Sequence, residues 1–322
     1  MGYLSRGGLG AAVATSTSMK NLLFLGAGSV GGYFGARLIE AGVDVSFLVR
    51  PARASMLTAQ GLRIVSPHGD LKLQVKCVSR DTVAPDYDLV MLAPKAYDLA
   101  DALDAVAPAM GPDTFVLPLL NGLAHIDVLD ACFGADRVVG GVAHIVATLS
   151  ADGSIKQLNP IHTLTAGGRN AATQQAAADF IALCAQAKFD AALSPDILSA
   201  LWDKWAFLAT LAAATTLTQG AIGQVMDTTH GESLLRRLYA EGLAVAERSG
   251  AFISEAAQTR ALDRLTQHGS TMTASMLRDL QAGLRTEHDH VLGDLVQRAQ
   301  RHGVDTPLLA MAHCHLQLAA AA

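Results

Sequence analysis

Leu22-Leu23-Phe24-Leu25-Gly26-Ala27-Gly28-Ser29-Val30-Gly31 is the stretch that decides the fold. Four apolar residues in a row suit a strand buried on both faces. The run ends in G-x-G-x-x-G, and a helical pattern follows over 30–40, closed by Gly42. Glycines reach this spacing by chance, but between a strand and a helix the spacing gains a mechanism. Gly26 permits the tight turn, Gly28 lets the backbone approach a pyrophosphate, and Gly31 lets the helix pack close to the strand. The helix N-terminus adds free N–H groups and a positive dipole end. Gly26, Ala27, Gly28, Ser29, Val30 and Gly31 are therefore expected to cradle a dinucleotide.

Working outward, strands are predicted at 43–49, 89–93 and 114–119, with a helix over 97–106. A long β-branched run covers 138–148, and short strands at 154–157 and 163–166 flank the turn Asp152-Gly153. Strand–helix alternation with short loops predicts an α/β fold with a parallel, doubly wound sheet: a Rossmann domain over 19–193. From Ala171 the chain turns Ala- and Leu-rich and strand signals vanish. Ser194-Pro195-Asp196 reads as an N-cap, a proline at the first helical position and an acid in the first turn. A long helix to about 217 should follow, then helices over 232–249, 254–268, 272–282, 286–302 and 307–318. The boundary is placed near Ser194, giving an all-helical C-terminal domain over 194–322. Residues 1–18 are rich in Gly, Ala, Ser and Thr and read as a disordered extension, or as sequence upstream of a true start at Met19. A weak transit peptide stays open.

Composition narrows the function classes. The 322 residues are 51% hydrophobic and 16% charged, which suits large buried cores. A net charge of −5 without a basic block argues against nucleic acid. No charge-free apolar stretch of about 18 residues argues for a membrane span. Cys77, Cys132, Cys184 and Cys314 are scattered and form no C-x-x-C pair, so reduced thiols and a cytoplasmic setting are expected. The Ala- and Leu-rich helical half leaves a homodimer open.

The second strand's end selects the dinucleotide. It reads Phe47-Leu48-Val49-Arg50-Pro51-Ala52-Arg53, without the acid that would bond a ribose 2′-hydroxyl. Arg50 stands in its place, and a guanidinium suits a 2′-phosphate, so NADP(H) is favoured over NAD. The alternative is a solvated surface charge.

Four further segments narrow the choice. They are Leu92-Ala93-Pro94-Lys95-Ala96-Tyr97, Pro118-Leu119-Leu120-Asn121-Gly122-Leu123, Leu201-Trp202-Asp203-Lys204-Trp205, and the stretch from Ser275-Met276 through Asp279 and Gly283 to Thr286-Glu287. In this order, after a Rossmann start, they resemble the ketopantoate reductase (2-dehydropantoate 2-reductase) family from about Met19 onward. The resemblance implies NADPH-dependent reduction of a 2-keto acid, ketopantoate to pantoate, in pantothenate biosynthesis. It implies that Lys95 helps hold the NADP phosphate and ribose, that Asn121 sits beside nicotinamide and substrate, that Lys204 is the catalytic lysine, that Ser275 binds substrate and that Glu287 is a catalytic-site acid. Taken singly, each could be a surface lysine, a turn, helix packing or a solvated acid.

One departure matters. The family normally carries two asparagines on the lysine's helix face; here those positions hold Leu208 and Ala212. A face without partners for a buried hydroxyl disfavours it. A 2-keto acid with a more apolar or bulkier tail is therefore expected, unless Thr210, Thr215 or Thr216 covers the role. Apolar neighbours should also lower the pKa of Lys204. No metal is expected, because His288 and His290, like His313 and His315, are two apart and diverge on a helix. Competing readings are an opine-type or 3-hydroxy-acid dehydrogenase and a non-catalytic NADP(H)-binding sensor.

Overall fold

A computed structural model describes residues 19–321, so the expected extension over 1–18 lies outside the described residues. The chain runs β1 (Asn21–Leu25), α1 (Ser29–Glu40), β2 (Asp44–Leu48), α2 (Pro51–Gln60), β3 (Leu62–Val65), β4 (Leu71–Leu73), β5 (Lys76–Val78) and β6 (Leu89–Leu92). It continues α3 (Leu99–Val106), β7 (Phe115–Pro118), α4 (Ala124–Phe133), β8 (Gly140–Leu149), β9 (Ile155–Gly167), α5 (Ala171–Leu183) and β10 (Asp190–Leu193). The rest is helical: α6 (Ile197–Thr218), α7 (Ile222–Met226), α8 (Gly231–Arg248), α9 (Glu255–Leu265), α10 (Ser275–Gln281), a π turn (Asp289–Gly293), α11 (Asp294–His302) and α12 (Pro307–Ala321).

The first sheet is parallel, five-stranded and ordered β5-β2-β1-β6-β7. Its central strand explains the unbroken apolar run. Leu22 and Phe24 enter one core cluster and Leu23 the other, so β1 supplies both faces. This is the Rossmann-like N-terminal domain, and a helical C-terminal domain follows it.

The strands expected over 138–166 need one correction. Only Val138 continues the first sheet, bridging Val116. The run after it turns away into a second, mixed sheet ordered β10-β9-β3-β4, with β8 antiparallel to β9. The two short strands predicted around 154–166 are one strand of 13 residues, β9. The cause is the tight turn before it. Gly153 at φ +78° and the Ser150–Ser154 main-chain bond of 2.8 Å close a hairpin, and a hairpin joins antiparallel neighbours. Strand β10 carries no strand signal in Asp190-Ala191-Ala192-Leu193; pairing with β9 imposes it.

The α6 cap also shifts. Asp196, not Ser194, is the N-cap, because its carboxylate takes both the Ser199 N–H (3.1 Å) and hydroxyl (2.6 Å). The Ser194 hydroxyl instead accepts the Asp196 N–H at 3.2 Å. Helix α6, at 22 residues, is long and apolar enough to cross a membrane, but most of it is buried against β8, α8 and α12. Where one continuous helix is predicted over 286–302, a π turn precedes α11. The buried Trp205 indole N–H donates to the Val291 carbonyl in that turn at 2.9 Å. All four cysteines are unpaired.

Candidate active site

The glycine turn is open outward and closed inward. Gly26, at φ +82°, turns the chain and donates its N–H to the Leu48 carbonyl at 2.8 Å. Gly28 is the N-cap of α1, and no side chain caps that terminus. A Cβ on Gly26 or Gly28 would meet nothing within 4 Å, whereas on Gly31 it would lie 3.1 Å from the Gly26 carbonyl oxygen. An uncapped helix end with open space before it fits a dinucleotide phosphate. Ala27 is buried, while Ser29 and Val30 are half-buried in the first turn. Arg50 is exposed as the N-cap of α2, immediately beyond β2. One turn later Arg53 donates to the Ala27 carbonyl at 3.0 Å and to that of Gly153 at 3.1 Å. It thereby ties the glycine loop to the β8–β9 hairpin, a role that the sequence did not disclose.

Lys95 follows β6 and Asn121 follows β7, so both stand at carboxyl ends of the parallel sheet, where such folds place ligands. The helical domain meets them there. Lys95 Nζ lies 2.8 Å from Asp279 and 3.5 Å from Glu287. Glu287, with its side chain 10% exposed, also accepts the Ala96 N–H at 2.9 Å. Arg285 lies over the Tyr97 ring at 4.4 Å. Residues 95–97 are thus clasped to 279–287. Lys95 keeps its proton more firmly than usual: burial works against this, but the Glu287 and Asp279 charges and the Asp279 hydrogen bond outweigh it.

Lys204 is the opposite case. It projects from α6 half-buried, and forms no hydrogen bond or ion pair among the described residues. Desolvation lowers its pKa to about 8, with the Glu287 charge only partly offsetting that loss. Trp202 and Trp205, 5% and 1% exposed, pack on either side of it in sequence and fix the helix.

Three histidines complete the surroundings without any sequence signal. His125 Nδ1 meets His290 Nε2 at 3.3 Å, and His290 bonds the Asn121 main chain. A Cβ on Gly122 would sit 3.1 Å from the His290 carbonyl oxygen, so the Asn-Gly turn requires its glycine. Burial first, then the His290 and Lys204 charges, hold His125 at about 3, and burial with the Lys204 charge holds His144 at about 4. These shifts place both rings within the field of the lysine. Ser275, the first residue of α10, is exposed and bonds none of these groups; Asp279, one turn along, is the residue that reaches Lys95.

Of the two departing positions, Leu208 is half-buried and Ala212 only 3% exposed. The threonines do not replace the missing asparagines. Thr210, Thr215 and Thr216 are buried and donate their hydroxyls to the α6 carbonyls of Ala206, Leu211 and Ala212.

Two family models match the chain. Residues 22–170 match the model described as ketopantoate reductase PanE/ApbA, and 196–319 match its C-terminal counterpart. The chain belongs to the ketopantoate reductase family. The uncharacterized oxidoreductase YkpB of Bacillus subtilis is 32% identical to it over 92% of this chain and 97% of that one. A 2-dehydropantoate 2-reductase of Halobacterium salinarum is 29% identical over 88% of this chain and 93% of its own. Among solved structures, 2-dehydropantoate 2-reductase from Geobacter metallireducens is similar with a TM-score of 0.84 and 25% identity, over 93% of this chain and 99% of that one. Within this ketopantoate reductase frame, the chain is an oxidoreductase whose α6 carries the apolar Leu208 and Ala212 beyond Lys204.

Proposed function

We propose that this oxidoreductase uses NADPH to reduce a 2-keto acid whose tail is less polar than that of ketopantoate. The observation that carries the reading is Lys204: a desolvated ammonium with no hydrogen bond or ion pair among the described residues, within the field of the Glu287 charge. The dinucleotide domain would span 19–193 and the substrate domain 194–322. Gly26 to Gly31 would receive the pyrophosphate, Arg50 the 2′-phosphate, and Lys95 the phosphate and ribose after leaving Asp279. When bound, the reduced nicotinamide supplies the hydride for the keto carbon.

Lys204 would stabilise the charge growing on the keto oxygen and donate the proton that completes the hydroxyl. Its unpaired state supports this, since a lysine spent on a salt bridge offers less to a substrate oxygen. Glu287 would hold the lysine's protonation and orient it. Asn121, braced by His290, would position substrate and nicotinamide ribose, and Ser275 would help bind the carboxylate. Leu208 offers the tail apolar surface and no hydrogen-bond partner. A cytoplasmic enzyme, alone or as a homodimer, fits the unpaired cysteines.

NADPH oxidation by the purified protein, against ketopantoate and 2-keto acids with branched or aromatic tails, tests the reading. A higher kcat/KM for an apolar-tailed acid is expected. A clear preference for ketopantoate would refute the substrate assignment, and no turnover of any 2-keto acid would refute the reaction.

A further inference from the structure

The segment Thr286-Glu287-His288-Asp289-His290 faces two ways. Glu287 and His290 turn toward Lys95 and Asn121, as described above. His288 and Asp289 turn toward α12 and meet His313 there. Asp289 Oδ1 lies 2.9 Å from His313 Nε2 and 3.6 Å from His288 Nε2. The three donor atoms all fall within 4.8 Å of one another. Neither histidine pair in the sequence could bind together, but His288 and His313 come from separate elements and converge.

Three features around the cluster suit a metal rather than a chance ion pair. First, the Thr286 hydroxyl holds His288 Nδ1 at 2.7 Å, and both residues are buried. Holding one ring nitrogen fixes the imidazole so that Nε2 is presented to the cluster, the usual outer support of a metal-bound histidine. Second, a Cβ on Gly293 would come within 2.9 Å of His313 Nε2, so glycine there leaves the ring its place beside Asp289. Third, Gln317 donates a hydrogen bond to the Asp289 carboxylate from α12, one turn beyond His313, and so helps orient it toward the histidines. Donors about 2.0–2.2 Å from a tetrahedral cation stand about 3.3–3.6 Å apart, so small side-chain movements would suffice.

We propose that His288, Asp289 and His313 bind a divalent transition cation of the zinc class, clamping α12 to the π turn. Two imidazoles and one carboxylate suit zinc or cobalt over calcium or magnesium, which prefer oxygen donors. The clamp is separate from the Lys204 site and rests on none of the roles proposed for it. Its consequence is mechanical: the cation fixes the π turn that carries His290, and with it the segment just before that holds Glu287.

The test uses the full-length protein stripped with chelator. Zn2+ is titrated calorimetrically, and Co2+ is added separately to read its visible absorption. One equivalent of zinc is expected, with an intense cobalt band reporting a nitrogen- and oxygen-bound site. Melting temperature should rise by on the order of 5 °C at a hundredfold excess over Kd. His313→Gln and Asp289→Asn, both on the accessible side of the cluster, should each weaken zinc binding at least tenfold while circular dichroism stays unchanged. Cys314→Ser should bind as the parent does. Absence of a one-equivalent isotherm, equal affinity in His313→Gln, or loss of binding in Cys314→Ser would each overturn the assignment.

Discussion

The pKa of Lys204 gives the sharpest prediction. An ordinary lysine titrates near 10.5, and burial brings this one to about 8. If its ammonium is the proton donor, kcat/KM for reduction should be level below about pH 8. It should then fall about tenfold per pH unit, leaving about a tenth of the plateau at pH 9. A lysine in water would still hold nearly the whole plateau there. The Glu287 charge raises the Lys204 pKa, so Glu287→Gln should move the falling limb to lower pH, whatever it does to the plateau. Lys204→Arg cannot lose its proton in this range, and its residual rate should stay level past pH 9. Single-turnover oxidation of bound NADPH is the assay, since slow product release can hide a chemical limb. A limb centred near pH 10, or one that does not move in Glu287→Gln, would remove Lys204 from the proton transfer.

Four other outcomes follow from the same geometry. Asp279→Asn releases Lys95 from its 2.8 Å partner and should tighten NADPH binding, whereas Lys95→Ala should weaken it about tenfold or more; fluorescence titration with both variants moving the same way would show that Lys95 does not reach the cofactor. Arg50→Gln should lower the NADPH-to-NADH ratio of kcat/KM at least tenfold, and an unchanged ratio would leave Arg50 a surface charge. Leu208→Asn should shift preference toward hydroxylated 2-keto acids; equal preference in parent and variant would mean that the tail lies elsewhere. His125 is neutral when folded down to about pH 3 but titrates near 6.5 unfolded, so its contribution is complete above 6.5 and is lost as pH falls toward 3. Urea midpoints across that window should decline less steeply in His125→Phe than in the parent, and parallel declines would count against this assignment.

The parts of the site legible in the sequence are those whose logic is local. Gly26, Gly28 and Gly31 serve a turn, an open approach and a helix contact within one βα unit, so their spacing carries the message. Lys95 and Asn121 were expected only through the family resemblance, and both follow strands of the parallel sheet, β6 and β7. What was hidden depends on meetings across the chain. Lys95 finds Asp279 184 residues away, and His125 finds His290 165 residues away. The strand β10 is invisible because Ala and Asp have little preference for strands, and β9 alone makes them one. The Ser194 cap fails for a narrower reason: Asp196, read as a first-turn acid, takes the Ser199 N–H and hydroxyl with its two oxygens and so becomes the cap.

The π turn shows how much such a local departure can decide. A hydrophobic pattern over 286–302 reads as plain α-helix, since periodicity cannot distinguish one wider turn inside it. Each π turn shifts the following residues around the axis relative to those before it. The carbonyl of Val291 is thereby met by the Trp205 indole, one turn of neither helix being free to slide without breaking that bond. Trp205 adjoins Lys204, and Val291 adjoins His290. The bond therefore sets the height of the lysine on α6 against the turn that carries His290. A helix of ordinary pitch would keep the same residues and lose their register, which is why a sequence motif can name the lysine and the acid but not set their relative height.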